Sequence, residues 1–227
     1  MNRPANDRRE LLRFLAAAGV LGPAGLVGWM SEALAAGTVG AQEGLNRVEG
    51  IVTVNGASAK GGAAVKPGDR VVTGPGSQAV VVIASDAFLM RGQTAVEFKG
   101  KGGVLTDLTV ANGKVLSVFG KKPMQIQAGP AAIGIRGTGA YLEVEPRRVY
   151  FCLCYGEAVI KGPNMPDKAV KTEHHESPLY LLDDGRTLSA ESGPFLNHSD
   201  EELVMLEALV GRAPPFMGSG AYPSKKY

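Results

Sequence analysis

Five side chains carry most of the metal and thiol chemistry this sequence could perform. Cys152 and Cys154 are its only cysteines, His174, His175 and His198 its only histidines, and all five fall between residues 152 and 198 of a 227-residue chain. Thiolate and imidazole together are the donor set that zinc, copper or an iron centre selects. In a strand Cys152 and Cys154 point to one face, but their β-carbons sit roughly 7 Å apart, well beyond the ~3.8 Å a disulfide requires. A mutual disulfide is therefore not expected, and two thiols on one face can form two corners of a tetrahedral site. His174 and His175 would face opposite ways in a strand, so one of them is expected to join the thiols unless the pair lies in a loop, which nearby Pro178 allows. The candidate metal ligands are Cys152, Cys154, His174 or His175, and His198. Such a centre would bring a nitrogen of His198 and of one of the histidine pair within roughly 4 to 5 Å of both sulfurs.

Other readings of the same residues stay open. A C-x-C pair with loosely placed histidines lacks the fixed spacing of a zinc finger. The cysteines can instead be small buried apolar residues flanked by Phe151, Leu153 and Tyr155, with the histidines capping turns and no cofactor present. A thiol-redox pair is a further possibility. A cysteine hydrolase would need a base and an oxyanion donor in a recognisable arrangement, and no such motif occurs, so a non-enzymatic protein is expected.

The compartment bears on these alternatives, because free thiols are exposed to oxidation outside the cytoplasm. Arg3, Arg8, Arg9 and Arg13 precede a charge-free run from Phe14 to Ser31, followed by Ala33-Leu34-Ala35. This is the layout of an export signal with a small-residue cleavage site. Arg8-Arg9 followed by Leu11, Leu12 and Arg13 resembles a twin-arginine signal, with Asp7 where Ser or Thr is more usual. Gly19, Gly22, Gly25, Gly28 and Pro23 weaken the run as a membrane span. Cleavage near Ala35 or Ala36 and a periplasmic location are expected, with membrane attachment only if the signal is retained. Charged residues are 20% of the chain and its formal net charge is +2, which leaves no basic stripe for nucleic acid.

The elements that must position the five side chains are mostly strands. From Arg47 onward, short runs rich in Val, Ile, Phe and Tyr alternate with period two and end in Gly, Asn-Gly or Pro-Gly at intervals of about ten residues, an all-β pattern. Sandwich, barrel and short solenoid all remain compatible with it. Asn55-Gly56 and Asn112-Gly113 are type I′ hairpin signals, and Asp184-Gly185 marks a C-terminal hairpin. One amphipathic helix is expected after it: Ser199 and Glu202 form a capping box, Leu203, Leu206, Leu209 and Val210 an apolar stripe, and Gly211 with Pro214-Pro215 a stop. His198, immediately before that cap, would have a fixed backbone. The expected division is an export signal at 1–36, a β domain at 37–162, an extension with hairpin and helix at 163–213, and a flexible tail at 214–227.

Residues 133–144, IGIRGTGAYLEV, together with GAAVKPGDRVVTGPGSQAVVVI upstream and the Gly113-Lys114-Val115 segment, resemble the FecR domain, a bacterial envelope module associated with iron-transport signalling. The resemblance spans about Val48 to Ile160, with Ile135, Arg136, Gly137 and Thr138 at its V-R-G-T element. It implies a rolled or solenoid-like antiparallel β module that acts by binding, with an envelope protein as partner. Only thirteen residues precede the hydrophobic run, too few for the anti-sigma segment of FecR-type regulators, so transmembrane signalling is not expected to transfer. The glycines around Arg136 are read as tight turns, with the arginine held by carbonyls in preference to an anion.

Overall fold

The computed structural model describes residues 42–218; the expected export signal and most of the expected C-terminal tail lie outside the described residues. Fifteen strands follow in order: β1 Gly44–Glu49, β2 Val52–Val54, β3 Ala57–Ser58, β4 Arg70–Thr73, β5 Gln78–Ile83, β6 Asp86–Met90, β7 Ala95–Lys101, β8 Val104–Val118, β9 Pro123–Ala128, β10 Ala131–Arg136, β11 Gly139–Glu145, β12 Arg148–Gly162, β13 Met165–Thr172, β14 Leu179–Asp183 and β15 Leu188–Ser192. One α-helix, α1, spans Asp200–Leu209, and a 3-10 turn spans Pro215–Gly218. The chain is all-β with a single described α-helix.

A closed ring of five strands lies at the centre. β8 pairs with β11, β11 with β12, β12 with β10, β10 with β9, and β9 returns to β8 in the one parallel pairing of the ring. Closure removes the exposed edges that an open sheet would carry. The remaining strands extend outward: β7, β4, β2 and β3 from the first half of β8, β6, β5 and β1 from its second half, and β13, β14 and β15 from β12. The strands after residue 162 thus continue the same sheet.

The 15-residue strands β8 and β12 make this possible because each turns a corner at a glycine. Gly113 has φ +93° and Gly156 φ +100°, backbone that residues with a β-carbon rarely adopt. Asn112-Gly113 is accordingly not a hairpin turn: β8 bends there but continues as one strand, pairing with β7 at Asn112 and with β11 at Gly113. Asn55-Gly56 does form the tight hairpin, with Val54 opposite Ala57 and both turn residues at positive φ. The IGIR stretch is a strand rather than a set of turns, and Arg136 stands exposed at its end.

Two apolar cores result. The larger fills the interior with side chains such as Phe88, Phe98, Phe119, Ile126, Leu142, Phe151 and Leu153. The second lies on the outer face of β5, β6, β8, β11 and β12, where Val80, Leu89, Leu116, Tyr141, Tyr150, Cys152 and Cys154 meet Leu203, Val204 and Leu206 of α1. The period-two alternation along β12 sends Phe151 and Leu153 inward and Tyr150, Cys152 and Cys154 outward beneath the helix. Full burial of Leu203 and Leu206 is worth about 1.5–3 kcal/mol each.

Candidate metal centre

A β-bulge interrupts the strand that carries Cys152 and Cys154. Pairing of β12 with β11 is in step from Arg148 to Leu153, then slips by one residue, so that Tyr155 faces Gly139 while Cys154 has no partner on β11. Inward parity confirms the slip: Phe151 and Leu153 point into the large core, but past the bulge it is Ala158 and Ile160 that do. A bulge re-aims side chains and frees a backbone group. Here the freed Cys154 carbonyl accepts the backbone N–H of His175 at 3.0 Å, which fixes the loop after β13 against the strand.

That loop delivers His175, and the segment just before the Ser199 cap of α1 delivers His198. The Cys152 Sγ lies 3.4 Å from His175 Nδ1, Cys154 Sγ lies 3.6 Å from His198 Nε2, and the two imidazole nitrogens are 3.2 Å apart. All four donor atoms lie within 4.8 Å of one another, and all four residues are buried. The structure therefore assembles Cys152, Cys154, His175 and His198. His174 is not in this set; its Nε2 meets Asp200 Oδ1 at 2.8 Å, in a second group with His175.

Surrounding groups fix both rings. His198 Nδ1 donates to the Leu196 carbonyl at 2.7 Å, and the ring stacks on Tyr141 with centroids 4.5 Å apart and contacts Phe195. His175 Nε2 donates to Asp200 Oδ1 at 3.0 Å, and Phe195 packs edge-on against it. A carboxylate behind an imidazole is the usual second partner of a metal-bound histidine, setting its tautomer and basicity. Tyr141 is itself anchored by donating to Glu143. The capping box at Ser199 and Glu202 is formed, and Arg91 ties Glu202 and the Asn197 carbonyl to β6's end, so the backbone around His198 is rigid.

The partners assigned to the two rings create an electrostatic problem at the centre. With Nδ1–H of His198 committed to Leu196 and Nε2–H of His175 committed to Asp200, the two facing nitrogens both carry lone pairs. Two acceptors 3.2 Å apart repel unless a proton or a cation lies between them. In the absence of an ion the protein answers with a proton. Burial pulls the His175 pKa down, but hydrogen bonds to Asp200 and to Cys152 outweigh it and hold the pKa above its usual value. Cys152 is lowered to about 4, chiefly by the Cys154 thiol and, against the effect of burial, by the two imidazoles; Cys154 is pushed up by burial and by the thiolate beside it.

A tetrahedral ion fits the same space. Zn–S near ~2.3 Å and Zn–N near ~2.0 Å imply edges of roughly 3.3 Å between nitrogens and roughly 3.5 Å between sulfur and nitrogen. The observed 3.2, 3.4 and 3.6 Å are those edges within a few tenths. Both loops that supply imidazoles contain a non-glycine residue in left-handed backbone, His175 at φ +54° and Asn197 at φ +57°. Asn55, Ala84, Gln93 and Asn164 share this backbone elsewhere in the fold, so it shapes the two loops without marking the site.

Asp200, Tyr141 and Phe195 were not visible as site residues in the sequence. Asp200 reads there only as an acid at a helix start, and nothing in local spacing shows that it reaches back to the 174–175 loop. The sole hint is His198-Ser199-Asp200, which puts a carboxylate two residues from an expected ligand.

No family profile matches the chain, and no curated protein matches it. Among solved structures it is similar to two crystal structures of a candidate anti-sigma factor from Parabacteroides distasonis ATCC 8503, at 1.65 and 2.50 Å resolution. Each shares 8% identity with a TM-score of 0.46, over 54% of this chain and 59% of that one. The chain thus spans about 59% of the length of that protein.

Proposed function

We infer that this protein is an exported, non-enzymatic binding module of the bacterial envelope, of the FecR-like type, that holds one transition-metal ion through Cys152 Sγ, Cys154 Sγ, His175 Nδ1 and His198 Nε2. The observation that carries this reading is the convergence of two imidazole lone pairs at 3.2 Å beside two buried sulfurs. Bound there, the ion supplies the positive charge that four electron-rich donors lack. The chain's own residues do the rest. Asp200 holds the His175 proton on Nε2, Leu196 holds the His198 proton on Nδ1, and the rings of Tyr141 and Phe195 keep water out. Four protein donors close a tetrahedral site and leave no position for a substrate, the arrangement of structural rather than catalytic metal sites. Burial of both sulfurs also keeps them from thiol chemistry on outside molecules.

Elemental analysis of the purified protein beside a Cys152→Ser, Cys154→Ser variant tests the reading: about one ion per chain is expected in the first and none in the second, and equal metal in both would overturn it. The export component rests on the N-terminal sequence and is tested separately. Replacing Arg8 and Arg9 by lysine should leave the protein in the cytoplasm, whereas normal export of that variant would exclude the twin-arginine route. The FecR resemblance supports an envelope protein as the binding partner.

A further inference from the structure

We propose that the centre is a structural zinc latch, in which Zn2+ fastens the segment from Pro194 to Met217, including α1, onto the outer face of the β-barrel. This rests on the metal reading above and adds the identity of the ion and what it does.

The identity follows from charge and geometry. Two thiolates and two neutral imidazoles around a divalent ion make a complex of zero net charge, the form that costs least to bury, and the cysteines and histidines are at most 6% exposed. A cuprous ion would leave the buried site negative, and a ferric ion would leave it positive. A tetrahedral set of two sulfurs and two nitrogens on a single ion is the preference of zinc.

The latch follows from where the four donors lie in the chain. Cys152 and Cys154 belong to β12, within the barrel; His175 belongs to the loop after β13; His198 belongs to the segment that leads into α1. An ion joining them ties the C-terminal segment to the barrel at the point where the segment begins. The segment needs such a tie. A ten-residue helix is too short to persist alone in water. Among the described residues none after Ala190 belongs to the large interior core or packs against it, so that core is filled without the segment. Beneath α1, in contrast, lies a continuous apolar face made of Val80, Val82, Leu89, Leu116, Val118 and Tyr141, which the segment alone covers among the described elements. The segment is also held by Tyr150 donating to the Pro194 carbonyl, by Asn197 Nδ2 donating to Glu143, by Arg91 donating to the Asn197 carbonyl and to Glu202, and by the Tyr155–Glu207–Arg212 cluster. The ion adds to these a bond from His198 to two β12 sulfurs and the 174–175 loop, at the turn where Asn197 is kept in left-handed backbone.

Hydrogen–deuterium exchange on the full chain, zinc-loaded and after removal of metal by a chelator, tests the proposal together with elemental analysis of the protein as isolated. Zinc is the ion expected. Amides of residues 195–210 are expected to exchange at least ~10-fold faster in the metal-free protein, while those of β7, β9 and β10 keep their protection. Reloading with Co2+ should restore slow exchange and give the intense visible bands of a tetrahedral thiolate site, unchanged by added azide. Copper or iron in the isolated protein would overturn the assignment of zinc. Unchanged exchange in 195–210, or a loss of protection throughout the barrel, would overturn the latch, and a spectrum that responds to azide would overturn the closed site. Absence of any retained metal would overturn the underlying metal reading itself.

Discussion

Asp200→Ala removes a side chain that touches no sulfur and would touch no ion, yet it should weaken metal binding more than any other substitution outside the four donors. Asp200 Oδ1 accepts from His175 Nε2 at 3.0 Å and from His174 Nε2 at 2.8 Å. Without it His175 loses the partner that keeps its proton on Nε2, and the Nδ1 tautomer, which cannot bind, becomes accessible. Losses of carboxylate partners of this kind cost 10- to 100-fold in metal affinity, or about 1.4–2.7 kcal/mol. Asp200 also stands in the first turn of α1, where an acid stabilises the helix by about 0.3–1 kcal/mol. Glu201→Ala removes the same helix-end charge without touching either histidine, and so isolates the metal effect. Affinities from competition with a chromophoric chelator should fall at least ~10-fold for Asp200→Ala and less than ~3-fold for Glu201→Ala. Equal affinities in the two variants would refute the reasoning, because helix-end charge would then explain everything Asp200 does.

Other consequences can be checked by urea unfolding and titration. Lys122→Met strips the fully buried Asp86 of the ammonium 2.5 Å from its Oδ2, leaving only the Gly120 N–H, and should destabilise by about 3 kcal/mol; a loss under ~1 kcal/mol would show that the pair is dispensable. Gly113→Ala places a β-carbon 2.4 Å from Thr94 Cα at φ +93° and should cost above ~2 kcal/mol, whereas a neutral result would mean that β8 does not need this corner. In metal-free protein the Cys152 pKa is depressed, so its stabilising contribution is present at high pH and is lost as pH falls through about 4. The His175 pKa is raised, so its contribution is full below 6.5 and is lost as pH rises through the folded value. Thiolate absorbance should therefore persist on acidification until about pH 4 and be missing from Cys152→Ser; loss near the ordinary thiol range would contradict the thiolate–imidazolium pair.

Much of the site was legible because its residue types are scarce. Two cysteines and three histidines in one stretch, with His198 tied to a capping box, point to a cluster before any fold is known. The β class was legible for a similar reason, since alternation and turn residues agree from Arg47 to Gly162. What was not legible depends on pairing between distant strands. The FCLCYGE stretch reads as a regular strand, and only its register against β11 shows that Cys154 is the bulged residue. Gly156 signals a break but not its direction. Asn112-Gly113 has the local chemistry of a hairpin, yet tertiary pairing on both sides of Gly113 converts the same positive φ into a corner within one long strand. The choice of His175 over His174 is set by the backbone bond from His175 N–H to the Cys154 carbonyl, which no sequence spacing reports.

X-ray absorption at the edge of the bound metal tests the central claim most directly, since it reads the donor atoms themselves. The expected first shell is two sulfurs at ~2.3 Å and two imidazole nitrogens at ~2.0 Å, converting to a shell with one sulfur in Cys154→Ser. A first shell of oxygen and nitrogen alone, or a spectrum identical in wild type and Cys154→Ser, would contradict it.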